Sequence, residues 1–288
     1  MQAMDRGEAT TRVAIRALDA GGETAREDTI AVEEPMEIRV SSGPEGERRM
    51  RSVSVTMRTP GHDFELAVGF LRGEGLLTRR DQLVEIALCG PPPPGRAQSN
   101  IVRVTLAQDV ELDLVKLQRN FYSTSSCGIC GKASLDALDF EGYQAADPAR
   151  LRVAAEVVHG MPAALRSAQE AFDLTGGLHA AGLFRADGTL DLCREDVGRH
   201  NAVDKLIGRR FLDGRLELAD HILMVSGRVS FEILQKALSA GIPAIVAVGA
   251  PSSLAVELAE RFSMTLIGFA RDRRFNVYAG ASRVVRGG

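Results

Sequence analysis

The sequence predicts an α/β protein, with a C-terminal layer built on a mostly parallel sheet and a small N-terminal α+β domain ahead of it. Three observations predict this. After residue 220 the chain repeats one unit, in which apolar runs (HILMVS, AIVAVGA, MTLIGFA) alternate with helical stretches (VSFEILQKALSAG, PSSLAVELAERFS). Such a repeat marks βαβ crossovers and a sheet covered on both faces. Between Thr29 and Met57, by contrast, apolar residues alternate one by one at Ile30, Val32, Ile38, Val40, Val53, Val55 and Met57. Period two belongs to strands with one buried face. The texture changes from the second pattern to the first after Asp147-Pro148.

Taken in order, residues 1–26 are mixed and charged and read as a flexible leader. SSGPEGERR is a charged turn between the first strands. Pro60-Gly61 opens a helix through Phe64, Leu66, Val68 and Leu71, which Gly73 and Gly75 stop. Strands at Val84–Cys89 and Asn100–Ala107 flank the loop PPPPGRAQS and complete an N-terminal unit over 27–117. Residues 118–134 form a mobile thiol-bearing loop, and KASLDALDF begins the C-terminal unit, 135–282, with a short helix. PAALRSAQEAFDL is helical, with Pro162 in its first turn and Gly176-Gly177 past its end. GLHAAGLF and TLDLC pair around a tight Asp187-Gly188 turn. VGRHNAVDKLIGRRF is a helix leading into the repeat, and NVY closes the chain as an edge strand.

Composition narrows the function. With 288 residues and 45% hydrophobic content the chain can bury a full core. A formal net charge of −3 provides no global basic field for nucleic acid or anionic lipid. No apolar run reaches the roughly 18 residues of a membrane span, and the N-terminus lacks the apolar core of a secretory signal. The expectation is a cytoplasmic protein, where thiols are kept reduced.

Two of the four cysteines lie in YSTSSCGICGK (Tyr122–Lys132), among serine and glycine rather than apolar neighbours. The two-residue spacing of Cys127 and Cys130 lets their sulfurs bond to each other or share a metal. It also permits thiolate pKa values well below about 8.5. Lys132 adds a charge that favours the thiolate. Three readings follow: a reactive dithiol, half of a structural zinc site, or a redox pair. Zinc needs further ligands, and Cys89 and Cys193 sit singly at the ends of apolar strands, where they read as packed. A thioredoxin-like pair starts a helix inside a βαβ unit, which this stretch does not.

GLHAAG invites comparison with zinc deaminases, whose mark is H-x-E followed by P-C-x-x-C. Here Ala181 stands where the proton-moving glutamate belongs, and Ser126 precedes the first cysteine, so that chemistry is excluded. REDVGRHNAVDK crowds polar groups into a strand-to-helix junction that could favour an anion. VSGRVS and VGAPSS repeat the junction form at which open sheets bind ligands. No GxxxxGK[ST] is present. FARDRR after the last long strand offers arginine forks for phosphate and a ring for stacking.

Together, SSCGICGK, REDVGRHNAVDK, SGRVSFE and GFARDRRFNVY closely resemble the formate dehydrogenase accessory sulfurtransferase family (FdhD/NarQ), from about Thr29 to Tyr278. The resemblance implies a cytidine-deaminase-like C-terminal layer and a homodimer. It implies sulfur taken as a persulfide from a cysteine desulfurase. That sulfur passes to the molybdenum cofactor, bis(molybdopterin guanine dinucleotide), before formate dehydrogenase receives it. By the same resemblance Cys127 bears the persulfide, with Cys130 either assisting release or tuning its neighbour. The cofactor, or a guanine nucleotide mimicking it, is held by Phe269, Ala270, Arg271, Asp272, Arg273 and Arg274. A cofactor chaperone without sulfur chemistry and a structural zinc protein are the alternatives.

Overall fold

The alternation that begins at Glu34 produces a four-stranded sheet in the computed structural model, which describes residues 9–110, 143–215, 217–271 and 273–286. Its strands are β3 (Glu34–Ser42), β4 (Arg49–Arg58), β5 (Leu83–Leu88) and β6 (Ile101–Leu106), in the order β4-β3-β6-β5. β3 and β6 run parallel and the outer pairings are antiparallel. Met36, Ile38, Val40, Val102 and Val104 point to one face, where helix α1 (Asp63–Gly73) buries them with Leu66, Ala67 and Leu71.

Ahead of this sheet, the residues expected as a leader include a hairpin. Strands β1 (Thr10–Asp19) and β2 (Gly22–Ala31) pair antiparallel along their whole length. The turn explains the pairing: the Asp19 carboxylate accepts the Gly21 N–H at 2.7 Å, and Gly22 takes a φ of +125° that glycine tolerates. Exposed cross-strand pairs, Arg12–Glu27 and Arg16–Glu23, add little.

The C-terminal elements are β7 (Val153–Ala154), α2 (Ala155–Ser167), α3 (Glu170–Thr175), β8 (His179–Arg185), β9 (Leu190–Asp196) and α4 (Arg199–Leu212). They continue as β10 (His221–Val225), α5 (Phe231–Ser239), β11 (Ala244–Ala247), α6 (Ser253–Arg261), β12 (Thr265–Arg271), β13 (Arg274–Ala279) and β14 (Val284–Val285). Six strands form one sheet, β13-β12-β11-β10-β8-β9. Helices α4, α5 and α6 cover one face and α2 the other.

Two expectations are corrected here. The sheet is mixed rather than mostly parallel: only β10–β11 and β11–β12 are parallel, while β12–β13, β10–β8 and β8–β9 are antiparallel. The crossovers were legible, but β10 lies beside β8 rather than β9, and β13 folds back on β12. The helix expected to open at Pro162 instead runs from Ala155 through it and stops at Ser167, leaving α3 as a separate turn. The proposed limits near 117 and 134, and with them Cys127 and Cys130, fall outside the described residues.

The two units meet where α1 crosses α4. A Cβ on Gly69 would lie 1.8 Å from the Asp204 carbonyl oxygen, and one on Gly208 would lie 1.8 Å from that of Glu65. Only glycine permits this approach, and it lets Phe211 of α4 enter the N-terminal core. Arg194 on β9 grips Glu65 through two hydrogen bonds of 2.6 and 2.9 Å. Burial raises the Glu65 pKa, but hydrogen bonds from Arg194 and His62 outweigh it and hold the carboxyl at about 2. A carboxylate depressed on folding stabilises the protein above its unfolded pKa and loses that contribution on acidification. Denaturant titration across pH 4.5 to 2 is therefore expected to show a loss on the order of 3 kcal/mol from this group. Glu65→Gln should remove that step; an unchanged acid limb in the variant would contradict the assignment.

Candidate functional site at the strand ends

Sequence reasoning placed ligand chemistry at the carboxyl ends of the parallel strands, and the backbone there is unusually close-packed. The Gly249 N–H donates to the Gly227 carbonyl at 3.0 Å, and the Phe269 N–H to the Gly249 carbonyl at 3.1 Å. The turns after β10 and β11 and the late part of β12 thus stack into one rim. Phe269 itself is strained: it is not glycine, yet its φ is +54°, and the register slips between Gly268 and Arg271. A bulge of this kind re-aims the side chains that follow.

The re-aimed chain is the FARDRR stretch. Ala270 is buried against the α2 side of the core, while Phe269 is half-buried. Arg271 and Arg274 stand directly opposite each other in the β12–β13 register, both exposed, and Arg273 between them takes a φ of +58°. Asp272 lies outside the described residues. Like charges facing across strands are unfavourable, and among the described residues neither Arg271 nor Arg274 has an ion-pair partner. The turn is a paired cationic prong at the end of the sheet.

REDVGRHNAVDK has a different task from the anion site its polarity suggested. Lys205, fully buried, lies 2.7 Å from an Asp196 oxygen and donates to the carbonyls of Thr59 and Glu195. Asp196 also accepts from the backbone N–H groups of Thr59 and Gly198 and from the Asn201 amide. Asn201 donates again to the Met57 carbonyl at 2.7 Å. These residues bolt α4 to the end of β4. His200 ties the starts of α4 and α5 together, 2.9 Å from Glu232 and 3.2 Å from Ser230; its hydrogen bond lowers the Glu232 pKa. Glu195 accepts the N–H groups of Ala171 and Phe172 and so positions α3; burial raises its pKa.

His179 is left without such a task. It lies at the start of β8, in the wall of a cavity of about 460 Å³ between α2, α3 and the ends of β10 and β11. Burial and then the neighbouring Arg199 charge lower its pKa, so the imidazole is neutral at pH 7. Cys89 and Cys193 are half-buried, free thiols. Burial first, with the Glu195 carboxylate second, pushes Cys193 up to about 12, so it is inert as a nucleophile. Among the described residues no three His, Cys, Asp or Glu side chains gather around a common metal position. No helix among them is long and apolar enough to cross a membrane.

The FdhD/NarQ family model matches residues 31–285. This chain belongs to the FdhD/NarQ family. It is 51% identical over 278 residues to a protein of Mycolicibacterium paratuberculosis named sulfur carrier protein FdhD, covering 96% of this chain and 98% of that one. A protein of the same name from Streptomyces coelicolor is 49% identical, with 96% of each chain covered, and one from Sulfurisphaera tokodaii is 40% identical, with 91% and 94% covered. The crystal structure of a Desulfotalea psychrophila protein, provisionally assigned as a formate dehydrogenase accessory protein, superposes with a TM-score of 0.72. It is 24% identical and the match covers 96% of this chain and all of that one, which establishes a shared fold. Family membership supports a sulfur-transfer role in formate dehydrogenase maturation.

For this FdhD/NarQ chain the structure brings Phe269, Ala270, Arg271, Arg273 and Arg274 to the same end of the sheet as His179. Sequence reasoning missed Gln169, which lines the same cavity and is 4% exposed. No periodicity could have found it, because it sits in the break between α2 and α3.

Proposed function

We propose that this protein takes sulfane sulfur from a cysteine desulfurase onto Cys127 and delivers it to bis(molybdopterin guanine dinucleotide) destined for formate dehydrogenase. One observation carries the reading: relatives matched almost end to end are named sulfur carriers, and this chain holds a single Cys-X-X-Cys pair, Cys127 and Cys130. The chemistry balances. The Cys127 thiolate attacks the outer sulfur of the donor persulfide; that S–S bond breaks, a new one forms at Cys127, and the donor cysteine leaves as thiolate. In delivery the Cys130 thiolate attacks the inner sulfur of the Cys127 persulfide. The outer sulfur departs as sulfide, reduced by two electrons, and the two cysteines become a disulfide. A dithiol reductant then restores them.

The cofactor enters as substrate. Arg271 and Arg274, without an ion-pair partner among the described residues, supply charge-assisted hydrogen bonds suited to its phosphates, and Phe269 a ring for stacking. The strand order β9-β8-β10-β11-β12 with helices on both faces supports a cytidine-deaminase-like layer, in which buried Ala181 leaves deamination without its acid. The reading includes a homodimer in the cytoplasm. Incubation with a desulfurase, radiolabelled cysteine and the cofactor tests it: label should pass through the protein to the cofactor. Arg271→Ala with Arg274→Ala should weaken GDP binding about tenfold or more, on the scale of one lost charged hydrogen bond. Label that reaches the protein but never the cofactor would overturn the delivery step.

A further inference from the structure

We infer that strand β1 pairs with β1 of a second copy of this chain, across a two-fold axis at Ile15, so that two hairpins form one four-stranded antiparallel sheet. The hairpin calls for such a cover. Among the described residues, no side chain from Thr10 to Ala31 belongs to a hydrophobic core. β2 rests on α3, whereas β1 pairs with β2 alone. A two-stranded ribbon by itself is marginal in water. This one nevertheless pairs along the whole of both strands without a bulge.

The two edges of the ribbon differ. β2 carries Glu23, Arg26, Glu27 and Asp28, the kind of charge that keeps an edge from pairing. β1, TTRVAIRALD, has no proline, lysine or bulge to protect it. The turn at Ala20-Gly21 makes Asp19–Gly22 a hydrogen-bonded pair, so the backbone groups of Arg12, Ala14, Arg16 and Leu18 point away from β2, toward a further strand. Val13, Ile15 and Ala17 form an apolar stripe on one face, each only half-buried. Charge then selects the register. A two-fold at Ala14 sets Arg12 against Arg16 of the second copy, and one at Arg16 sets that arginine against itself. Like charges directly opposite are unfavourable. Moving the axis to Val13 leaves Ala17 and Leu18 outside the pairing. An axis at Ile15 places Arg12 opposite Leu18 of the second copy and Arg16 opposite Ala14. It pairs Thr11 through Asp19, aligns Val13 with Ala17 and Ile15 with itself, and so makes the stripe continuous. Such a contact is self-complementary and closes at two copies. It deepens the homodimer part of the reading above by giving that dimer a surface.

Sedimentation of the full-length protein, combined with disulfide trapping, tests the pairing. Wild type should be a dimer at micromolar concentration. Ile15 would face its copy at a non-hydrogen-bonded position, where Cα atoms lie about 4.5 Å apart, within reach of a disulfide. Ile15→Cys, oxidised with copper phenanthroline beside a wild-type control for the native cysteines, should therefore run as a covalent dimer. Arg26→Cys, opposite Ile15 on β2, should not, because the outer strands of a four-stranded sheet stand roughly 14 Å apart. Ile15→Glu, which sets two carboxylates face to face, should weaken the dimer about tenfold or more. Its helix content should match wild type, since Ile15 belongs to no core. A dimer that persists in Ile15→Glu, with Ile15→Cys untrapped, would overturn the pairing and leave the homodimer reading standing on another surface. Trapping through Arg26→Cys instead would also overturn it. A monomeric wild type would overturn both, and leave the β1 edge to a partner of another kind.

Discussion

Gly208→Ala is expected to destabilise the protein by about 3 kcal/mol or more, the upper part of the usual range for overpacking. That is a fall in melting temperature of roughly 6–12 °C for a protein of this size class. The reason is geometric. The new methyl would lie 1.8 Å from the Glu65 carbonyl oxygen, which is backbone of α1 and cannot rotate away as a side chain could. α1 and α4 would have to separate, and Phe211, buried in the N-terminal core, would be drawn out with α4. The bidentate Arg194–Glu65 pair spans the same seam and would stretch. Gly160→Ala is the control. Gly160 lies mid-helix in α2 with open space around its missing Cβ, so alanine there should be neutral or stabilising by up to about 1 kcal/mol. Melting curves check both variants, and a Gly208→Ala protein melting with wild type would refute the packing argument.

Cys127→Ala is expected to abolish formate dehydrogenase maturation while leaving GDP affinity and melting temperature unchanged. Neither of the two thiols among the described residues can take its place. Cys193 is pushed up to about 12 and so carries almost no thiolate at neutral pH, and Cys89 is a half-buried thiol at the end of a strand. Cys130→Ala should separate the two halves of the reaction: sulfur is still loaded on Cys127, but reductive release is lost. Maturation assays in a strain lacking its own copy, with GDP titrations alongside, check this. Full maturation by Cys127→Ala would leave a cofactor chaperone without sulfur chemistry.

The parts legible in sequence were those governed by local periodicity. The repeat after residue 220 and the alternation from Glu34 were readable because burial of one face forces the pattern. The arrangement of the strands was not, since nothing local tells β10 to pair with β8. The first hairpin escaped because its strands alternate Arg, Glu and Thr with few large apolar groups; only the Asp19-Ala20-Gly21-Gly22 turn announced it. Pro162 misled because proline favours a first helical turn, whereas burial of Val158, Met161 and Leu165 holds the helix together through it. The density of REDVGRHNAVDK was legible, but the anion-favouring junction it suggested is a network around the buried Lys205–Asp196 pair. Its purpose, joining α4 to β4, depends on Thr59 and Met57 far away in sequence. FARDRR showed its charge but not its strain, and Gln169 showed nothing.

The most direct test of the central claim is mass spectrometry of the protein after incubation with a cysteine desulfurase and cysteine. A mass gain of about 32 daltons, one sulfur atom as persulfide, should map to the peptide containing Cys127 and vanish in Cys127→Ala. An adduct that maps equally to Cys89, or that survives the substitution, would contradict it.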